Sequence, residues 1–310
     1  MKSIRTRCVL RKFRGSISAA KRWTSQGLSA DTICKQRSQR ASLQERLQQK
    51  IVKHDSGAIA IDLGASSVRF AAGRLAEGSI EFEVIDQKPH KTRIESGREV
   101  WDTAFFIEFC HKADQFGASH FHNCTIGIDS WGVDFGFTES GESVAPIVCY
   151  RDPFHAVIFD EFAEYRNELF KLTGIQHQPF NTFYQLIARK RYGDDTSRNW
   201  LFLPSWLAAS LGAGHCNDTT MASTSQLFRA DASGWCERAF EIAEVPVPNA
   251  TPASPGDVLG ATSNGARIVQ VAGHDTACAI HGLGELRNDQ AYISLGTWSL
   301  LGCIPDEPLI

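Results

Sequence analysis

A carboxylate that closely follows a short apolar run is the first candidate for chemistry in this chain. Residues 268–272 read Ile-Val-Gln-Val-Ala, which is typical of a short buried strand, and Gly273 ends the run. Asp275 follows, just before the small residues Thr276 and Ala277. An Asp between a strand end and a helix start can accept a proton from a bound hydroxyl group. It can equally cap the helix that follows, and these residues taken alone favour the cap.

A tight polar turn offers a second candidate. The pattern predicts a strand at Ala58–Ile61, an interruption at Asp62, a turn at residues 64–67 and a returning strand at Val68–Leu75. Such a turn gathers several backbone N–H groups and two serine hydroxyls, which can bind phosphate, and Asp62 could hold a magnesium ion at its edge. No Gly-Lys-Ser/Thr follows, so this is not a P-loop, and an ordinary hairpin turn fits the same letters.

A third polar stretch follows the short strand predicted at residues 125–129, which again ends in a carboxylate, Asp129. Trp131 comes next, and Gly132 would allow close approach of a ligand. Aromatic rings and polar groups at a strand end are typical of a sugar pocket. A packed tryptophan beside a turn explains the stretch equally well.

The elements that must position these residues follow from hydrophobic periodicity. A strand at residues 78–85 would complete an antiparallel meander, and residues 147–149 are strand-like. Helices are predicted at 99–116, 156–172, 183–191, 204–211 and 275–282. The proline-rich stretch at residues 246–256 is typical of a loop approaching a domain boundary.

Charge and cysteine content exclude several classes of protein. Residues 1–50 carry 13 Lys and Arg and two acids, so their net charge is +11. Since the whole chain has a net charge of −3, the remaining residues carry −14. That remainder has no bulk attraction for nucleic acid. No stretch reaches the roughly 18 apolar residues of a membrane span. The nine cysteines include no C-x-x-C pair and fit neither a zinc site nor a disulfide framework, so we expect reduced thiols in a cytoplasmic protein.

The segment 1–55 is predicted to be a basic, disordered extension. Its composition resembles a transit peptide, and it also fits a basic arm for an anionic partner. A wrongly chosen start is a third explanation, which we favour because the first clean strand begins only at Ala58. Met221 is the next methionine after Met1, so a later start would need a non-ATG codon, for instance at Val52.

Several segments in one order resemble the FGGY family of sugar kinases, and within that family the rhamnulokinases. They are I-D-L-G-A-S-S, G-I-D-S-W-G-V-D-F, Y-R-D, T-G-I-Q with P-F-N-T-F-Y-Q-L, A-S-T-S-Q-L, V-A-G-H-D-T-A and S-L-G-T-W-S-L-L-G. Each segment is weak alone, whereas the ordered set, from Ile59 to Pro308, is specific. The G-H-D-T-A and G-I-D-S-W-G-V-D-F forms point to the rhamnulokinase branch.

This resemblance implies an α/β chain with the two-domain, actin-like ATPase (ribonuclease-H-like) fold of sugar kinases. The sugar-binding first domain would be complete at residues 56–260. The nucleotide domain would begin at residues 261–310 and be incomplete, because family members continue well past residue 297. ATP would lie between the domains, and the implied reaction converts ATP and L-rhamnulose into ADP and L-rhamnulose 1-phosphate.

Roles carry over by position from the resemblance. Asp275 would be the catalytic base, and Asp62 would lie near the Mg²⁺ ion. The sugar would contact Gly132, His274, Asp275 and Thr276, and ATP would contact Ala65, Ser66, Ser67, Val68, Arg69 and Thr297.

The chain departs from the family pattern at Val68, which replaces a glycine, and at Leu295, which replaces a small residue. A β-branched residue resists positive φ, so we expect Val68 to crowd the phosphate. Three functions stay open: a rhamnulokinase, a catalytically inactive sugar-binding remnant, and a kinase for another ketose such as L-fuculose.

Overall fold

The computed structural model describes residues 53–139, 142–143, 146–249, 251–284, 286–287, 290–295 and 299–304. The predicted basic extension, apart from its last residues, and the predicted ATP contact Thr297 lie outside this part of the chain.

Strands dominate the first part of the described chain, and helices dominate its middle part. The strands are β1 (His54–Leu63), β2 (Ser67–Ala76), β3 (Ser79–Pro89), β4 (Thr92–Glu95), β5 (Arg98–Trp101), β6 (Phe121–Ser130), β7 (Phe135–Glu139), β8 (Glu142–Ser143), β9 (Asn199–Phe202), β10 (Val258–Ala261), β11 (Arg267–Val269), β12 (Ala291–Leu295) and β13 (Ser299–Cys303). The α-helices are α1 (Thr103–His120), α2 (Phe154–Glu161), α3 (Arg166–Thr173), α4 (Thr182–Arg191), α5 (Leu203–Ser210), α6 (Thr219–Thr224), α7 (Glu237–Ala243) and α8 (Asp275–His281).

A six-stranded mixed sheet in the order β10-β11-β6-β1-β2-β3 organises the first core. The predicted meander of β1, β2 and β3 is antiparallel, while β6 runs parallel to β1 and β11 runs parallel to β6. Alternate residues of β1, such as Ile59 and Ile61, are buried because side chains alternate between the faces of a strand. Helices α1 and α5 pack on this sheet and contact each other.

A second core is formed by residues from Phe135 to Val245, which lie between β6 and β10 in the chain. The small antiparallel sheet β8-β7-β9 meets helix α4 there, and residues 182–189 of α4 are all buried. A helix buried on all sides is apolar or hydrogen-bonded all round. Because α4 is packed on all sides, it can hold the residues at its amino end in a fixed position.

Some predicted elements differ in the structure. The helix predicted from residue 99 begins at Thr103, because residues 98–101 pair with β4 and Asp102 caps the helix by accepting from the Phe105 N–H at 3.3 Å. The helix predicted at 156–172 is divided into α2 and α3 by a 3₁₀ turn. The strand predicted at 147–149 is reduced to a single bridge of Val148 with Val100.

The domain boundary predicted after residue 260 stays a prediction. It falls at the end of β10, and β10 and β11 form a hairpin that belongs to the six-stranded sheet. The first sheet therefore extends to Val269, since β11 pairs with β6 in its interior. Within the described residues, no helix combines the length and apolar character that crossing a membrane requires.

Candidate active site

Parallel strand pairing brings three carboxylates to one edge of the sheet. Asp62 and Asp129 are register partners on β1 and β6, one residue before each strand ends. The segment after β11 continues alongside β6, where the Ser130 N–H donates to the Gly273 carbonyl at 2.9 Å. Since all three strands run the same way, Asp275 reaches the same edge as the other two carboxylates.

One cleft of about 750 Å³ opens at this edge. It is lined by Asp62, Gly64, Ala65, Ser67, Arg69, Asp129, Trp131, Gly132, Val133, Tyr150, Ile175, Gln176, Gln178, Phe180, Asn181, Thr224, His274, Asp275, Thr276, Cys278, Ala279, Ser294 and Leu300. The structure thus brings the predicted turn and the predicted carboxylate at 275 to one hollow. Ser66 and Val68 do not line it.

Asp275 is the first residue of α8 and is not its cap. The cap is His274, whose Nδ1 accepts from the Thr276 N–H at 3.2 Å. The Asp275 Oδ1 accepts from the Thr276 N–H at 2.5 Å and from its hydroxyl at 3.2 Å, and 42% of the side chain is exposed. The helix cap that the local sequence favoured is therefore made by the neighbouring histidine, and the carboxylate faces the cleft.

The His274 ring is held against Gly132. Burial lowers the pKa of His274, and because Nδ1 accepts a backbone hydrogen bond, the proton of the neutral ring is assigned to Nε2. A Cβ on Gly132 would lie 2.8 Å from that Nε2 and 3.3 Å from the Thr224 Oγ1. Glycine is required at 132 because it lets the imidazole donor approach the backbone beside the cleft.

A buried Asp that caps α6 fixes the segment that carries Asp275. The Asp218 Oδ1 accepts from the N–H groups of Met221 at 2.7 Å and Gly273 at 3.1 Å. The Thr220 hydroxyl accepts from the His274 N–H at 3.1 Å. These supports lie in and beside the polar patch 219–226, whose composition gave no sign of a partner 55 residues away.

The turn at residues 64–67 is closed by the Gly64 N–H donating to the Ser67 carbonyl at 2.9 Å. His90 holds the turn through two contacts. Its ring Nε2 is 2.8 Å from the Gly64 carbonyl oxygen, and its backbone N–H donates to the Ser66 carbonyl at 3.2 Å. At its end, the Arg69 Nε donates to the Asp62 Oδ2 at 2.6 Å. Within the cleft, the turn therefore combines backbone donors with one cation.

The expectation that Val68 would crowd the phosphate is wrong. Val68 is the second residue of β2, its side chain is fully buried in the first core, and its φ is not positive. Strand alternation sends this side chain inward, while the neighbours Ser67 and Arg69 face the cleft. Val68 would therefore offer a phosphate only its backbone.

Asp129 is a site residue that sequence analysis placed at a strand end without giving it a role. Burial, together with the nearby carboxylates of Asp62 and Asp275, raises the pKa of Asp129 well above the usual range. The Cys278 thiol hydrogen-bonds to it, and burial raises the pKa of that thiol to about 12. Two predicted strands that each end in Asp were the signal in the sequence, but only their parallel register reveals the contact.

The donor set at this edge suits Mg²⁺ bound together with a nucleotide. Among the described residues, no group of three or more His, Cys, Asp or Glu side chains could hold a metal ion by itself. Mg²⁺ in phosphate-transfer sites is usually held by one or two carboxylates, with phosphate oxygens and waters completing the octahedron. Asp62 and Asp129 supply that number of carboxylates.

The cleft is also lined by aromatic rings and amides. Trp131, Tyr150 and Phe180 supply aromatic surface there, and Gln176 and Asn181 supply amide groups. Aromatic surface with a few convergent polar groups is the composition of a carbohydrate pocket. The local sequence of residues 178–182 indicates only a break before a helix, since nothing in it shows that the break faces Trp131.

Residues 58–266 match the profile described as the FGGY family of carbohydrate kinases, N-terminal domain. The chain belongs to this family. It is 34% identical over 264 residues to a rhamnulokinase of Enterococcus faecalis, covering 79% of this chain and 52% of the relative. It is 31% identical to a rhamnulokinase of Bacillus subtilis, covering 81% and 55%. The chain therefore spans about half the length of these relatives.

Solved structures show the fold. A ligand-bound xylulose kinase from Lactobacillus acidophilus matches with a TM-score of 0.70 at 14% identity, covering 82% of this chain and 55% of that one. A Plasmodium falciparum glycerol kinase with ADP matches with a TM-score of 0.62 at 15% identity, covering 80% and 55%. The predicted α/β, actin-like sugar kinase fold is confirmed.

Replacing Asp129 with Asn is expected to stabilise the ligand-free protein at neutral pH. A carboxyl group whose pKa is higher in the folded than in the unfolded protein destabilises the fold as the pH rises from the unfolded pKa through the folded pKa. At pH 7.5 the free energy of unfolding of Asp129→Asn should exceed that of the wild type, and the gain should shrink at pH 5. Thermal unfolding in EDTA measures it, with exposed Asp160→Asn as the control. Equal gains at both pH values would contradict this account.

Gly132→Ala is expected to weaken sugar binding by about 10- to 100-fold, because overpacking against the His274 ring costs about 1–3 kcal/mol. Calorimetric titration with sugar measures the loss. Gly214→Ala is the matched control, since its Cβ would meet only the Leu259 carbonyl at 3.4 Å and lies outside the cleft. Unchanged affinity in Gly132→Ala would show that the sugar does not contact this wall.

Proposed function

We propose that this FGGY carbohydrate kinase chain carries the sugar-phosphorylating site of a rhamnulokinase, which transfers the γ-phosphoryl group of ATP to the 1-hydroxyl of L-rhamnulose. One observation carries the proposal: the Asp275 carboxylate and the turn at residues 64–67 line the same cleft. The names of the relatives, rhamnulokinases at 31–34% identity, support the choice of sugar.

In the proposed reaction, Asp275 is the general base. It takes the proton of the sugar 1-hydroxyl as that oxygen forms a bond to the γ-phosphorus, and the bond to the β-phosphate oxygen breaks to release ADP. Phosphoryl transfer mostly requires positioning and charge neutralisation. A general base of this kind typically contributes about 100- to 10,000-fold.

The nucleotide side of the cleft would neutralise charge. When bound, Mg²⁺ supplies electrostatic stabilisation to the phosphate oxygens, and Asp62 and Asp129 are the residues that would hold it. The turn from Ala65 to Ser67 would donate backbone N–H groups, and Arg69 would add a positive charge. Thr297 stays a predicted ATP contact that rests on the family resemblance.

The sugar side would orient the hydroxyls. His274 would donate through Nε2, because its Nδ1 is occupied by the Thr276 N–H. Gly132 would leave room for this contact, and Thr276 lines the cleft next to the base. The neutral form of His274, which its lowered pKa favours, is the form that donates without repelling Arg69 or the magnesium ion.

A second candidate is a sugar-binding protein without turnover. The chain spans about half the length of the relatives, and a nucleotide site shared between two domains draws residues from both. The sugar wall, in contrast, lies within the part of the chain that the structure describes. A kinase for another ketose is the third candidate, and a ketose panel in the same assay separates it from the first.

The test combines coupled ADP release with calorimetric binding of L-rhamnulose. The kinase predicts sugar-dependent ADP release, whereas the inactive protein predicts binding alone. No binding of any ketose would refute the proposed site in both forms.

Asp275→Asn is expected to reduce turnover by at least about 100-fold while sugar affinity stays within a few-fold, because only the base is lost. The exposed Asp160→Asn variant, on the outer surface of α2, is the control and should behave like the wild type. Wild-type turnover in Asp275→Asn would exclude it as the base.

A further inference from the structure

The protein contains a buried carboxylate that the proposed reaction does not use. Asp134 is fully buried, and its Oδ2 accepts from the indole N–H groups of Trp101 at 2.6 Å and Trp131 at 2.8 Å. The same oxygen accepts from the Tyr150 N–H at 3.3 Å, and Oδ1 accepts from the Gln185 amide at 3.1 Å. Burying a carboxylate is costly, and here four hydrogen-bond donors are arranged to satisfy it. Such an arrangement exceeds what packing of the core alone requires.

The groups bound to Asp134 form the sugar end of the cleft. Trp131 and Tyr150 line it directly, and Gln185 also donates to the carbonyl of Phe180, another lining residue, at 2.8 Å. The indole N–H of Trp131 is consumed by Asp134, so this side chain offers a ligand only its ring surface. One carboxylate thus sets the position of the aromatic wall.

The same contacts reach the phosphate-facing turn. The Trp131 ring stacks on His90 with centroids 5.6 Å apart and an interplanar angle of 26°. His90 in turn holds the Gly64 and Ser66 carbonyls. Burial lowers the pKa of His90, which keeps the ring neutral, and its Nε2–H donates to the Gly64 carbonyl. Asp134, Trp131 and His90 therefore connect the two ends of the cleft.

We propose that Asp134 is a positioning residue whose carboxylate fixes Trp131 against the sugar and, through the Trp131–His90 stack, fixes the turn at Gly64 that faces the phosphates. The inference rests on the proposed function for the identity of the ligands. The connection itself is a property of the chain without ligands.

The ionised form of Asp134 is the form that accepts all four hydrogen bonds. Burial raises its pKa to about 6, so the carboxylate is ionised at pH 7 and becomes protonated below pH 6. The titratable and charged groups facing this cluster are Cys149, Tyr150 and Arg151 before α2, Glu99 on β5, and His90. The substitution Asp134→Asn keeps the shape of the side chain, but one oxygen becomes an NH₂ group that would face N–H donors and could not accept from them.

The first measurement follows the indole N–H resonances of ¹⁵N-labelled protein between pH 5 and 8. Two of the seven tryptophans should shift together with a midpoint near pH 6 in the wild type, and neither should titrate in Asp134→Asn. Hydrogen exchange of the Gly64 amide, followed in the same samples, should be about tenfold or more faster in Asp134→Asn. Neither readout needs a ligand.

Three variants separate positioning from general destabilisation. Trp131→Phe, which removes the indole N–H bonded to Asp134, should weaken L-rhamnulose binding about tenfold and also speed Gly64 exchange, whereas His90→Phe should speed Gly64 exchange with little effect on sugar binding. Asp134→Asn should show both effects. Trp200→Phe, which alters a buried indole of the second core outside the cleft, is the control and should show neither.

Wild-type sugar affinity together with wild-type Gly64 exchange in Asp134→Asn would overturn the proposal, as would Trp101 and Trp131 indole resonances that Asp134→Asn leaves unchanged. If Asp134→Asn does not fold, Trp131→Phe decides the question, because wild-type Gly64 exchange in that variant would show that no connection runs through Trp131. Failure of the wild type to bind L-rhamnulose would instead defeat the proposed function, and the ligand-free measurements would still test Asp134.

Discussion

Parallel pairing of β1, β6 and the continuation of β11 is the constraint on which the site depends. Register alone makes Asp62 and Asp129 neighbours, and the Ser130–Gly273 hydrogen bond carries Asp275 to the same edge. Because a register slip of one residue would reverse every side chain, the buried residues of β1 and β6 that specify the core also specify where the carboxylates meet. Fold and candidate chemistry are thus fixed by one set of contacts.

The cleft holds groups that are unfavourable in the absence of ligand. Asp129 is half-buried beside two like charges, and behind the cleft wall Asp134 is a fully buried carboxylate that forms no ion pair within the described residues. Val133, a β-branched residue next to Gly132, adopts a φ of 73° and is held there by Thr182 donating to its carbonyl at 2.8 Å. Strain and buried charge of this kind concentrate at functional sites, where the surrounding structure over-determines them. Their position along one cleft supports its interpretation as a binding site.

The sequence predicts the features that depend on residues close together in the chain, and it does not predict those that depend on contacts between distant residues. Local patterns predicted the meander, the polar turn and a helix beginning near Asp275, because hydrophobic alternation and turn residues act over a few positions. They did not reveal that His90 holds a turn 26 residues away or that Asp218 supports Gly273, since both contacts depend on tertiary packing. The proline-rich loop also gave no sign that the next two strands form a hairpin within the first sheet, since that pairing too depends on tertiary packing.

The central claim is that Asp275 and the turn at residues 64–67 face one bound sugar from opposite sides. A crystal structure of this chain with L-rhamnulose tests it most directly. The account predicts the 1-hydroxyl oxygen at hydrogen-bonding distance, about 2.6–3.2 Å, from the Asp275 carboxylate, with the sugar packed on the Trp131 ring and its 1-hydroxyl directed towards the turn. A sugar bound elsewhere, or one whose 1-hydroxyl points away from Asp275, would contradict it.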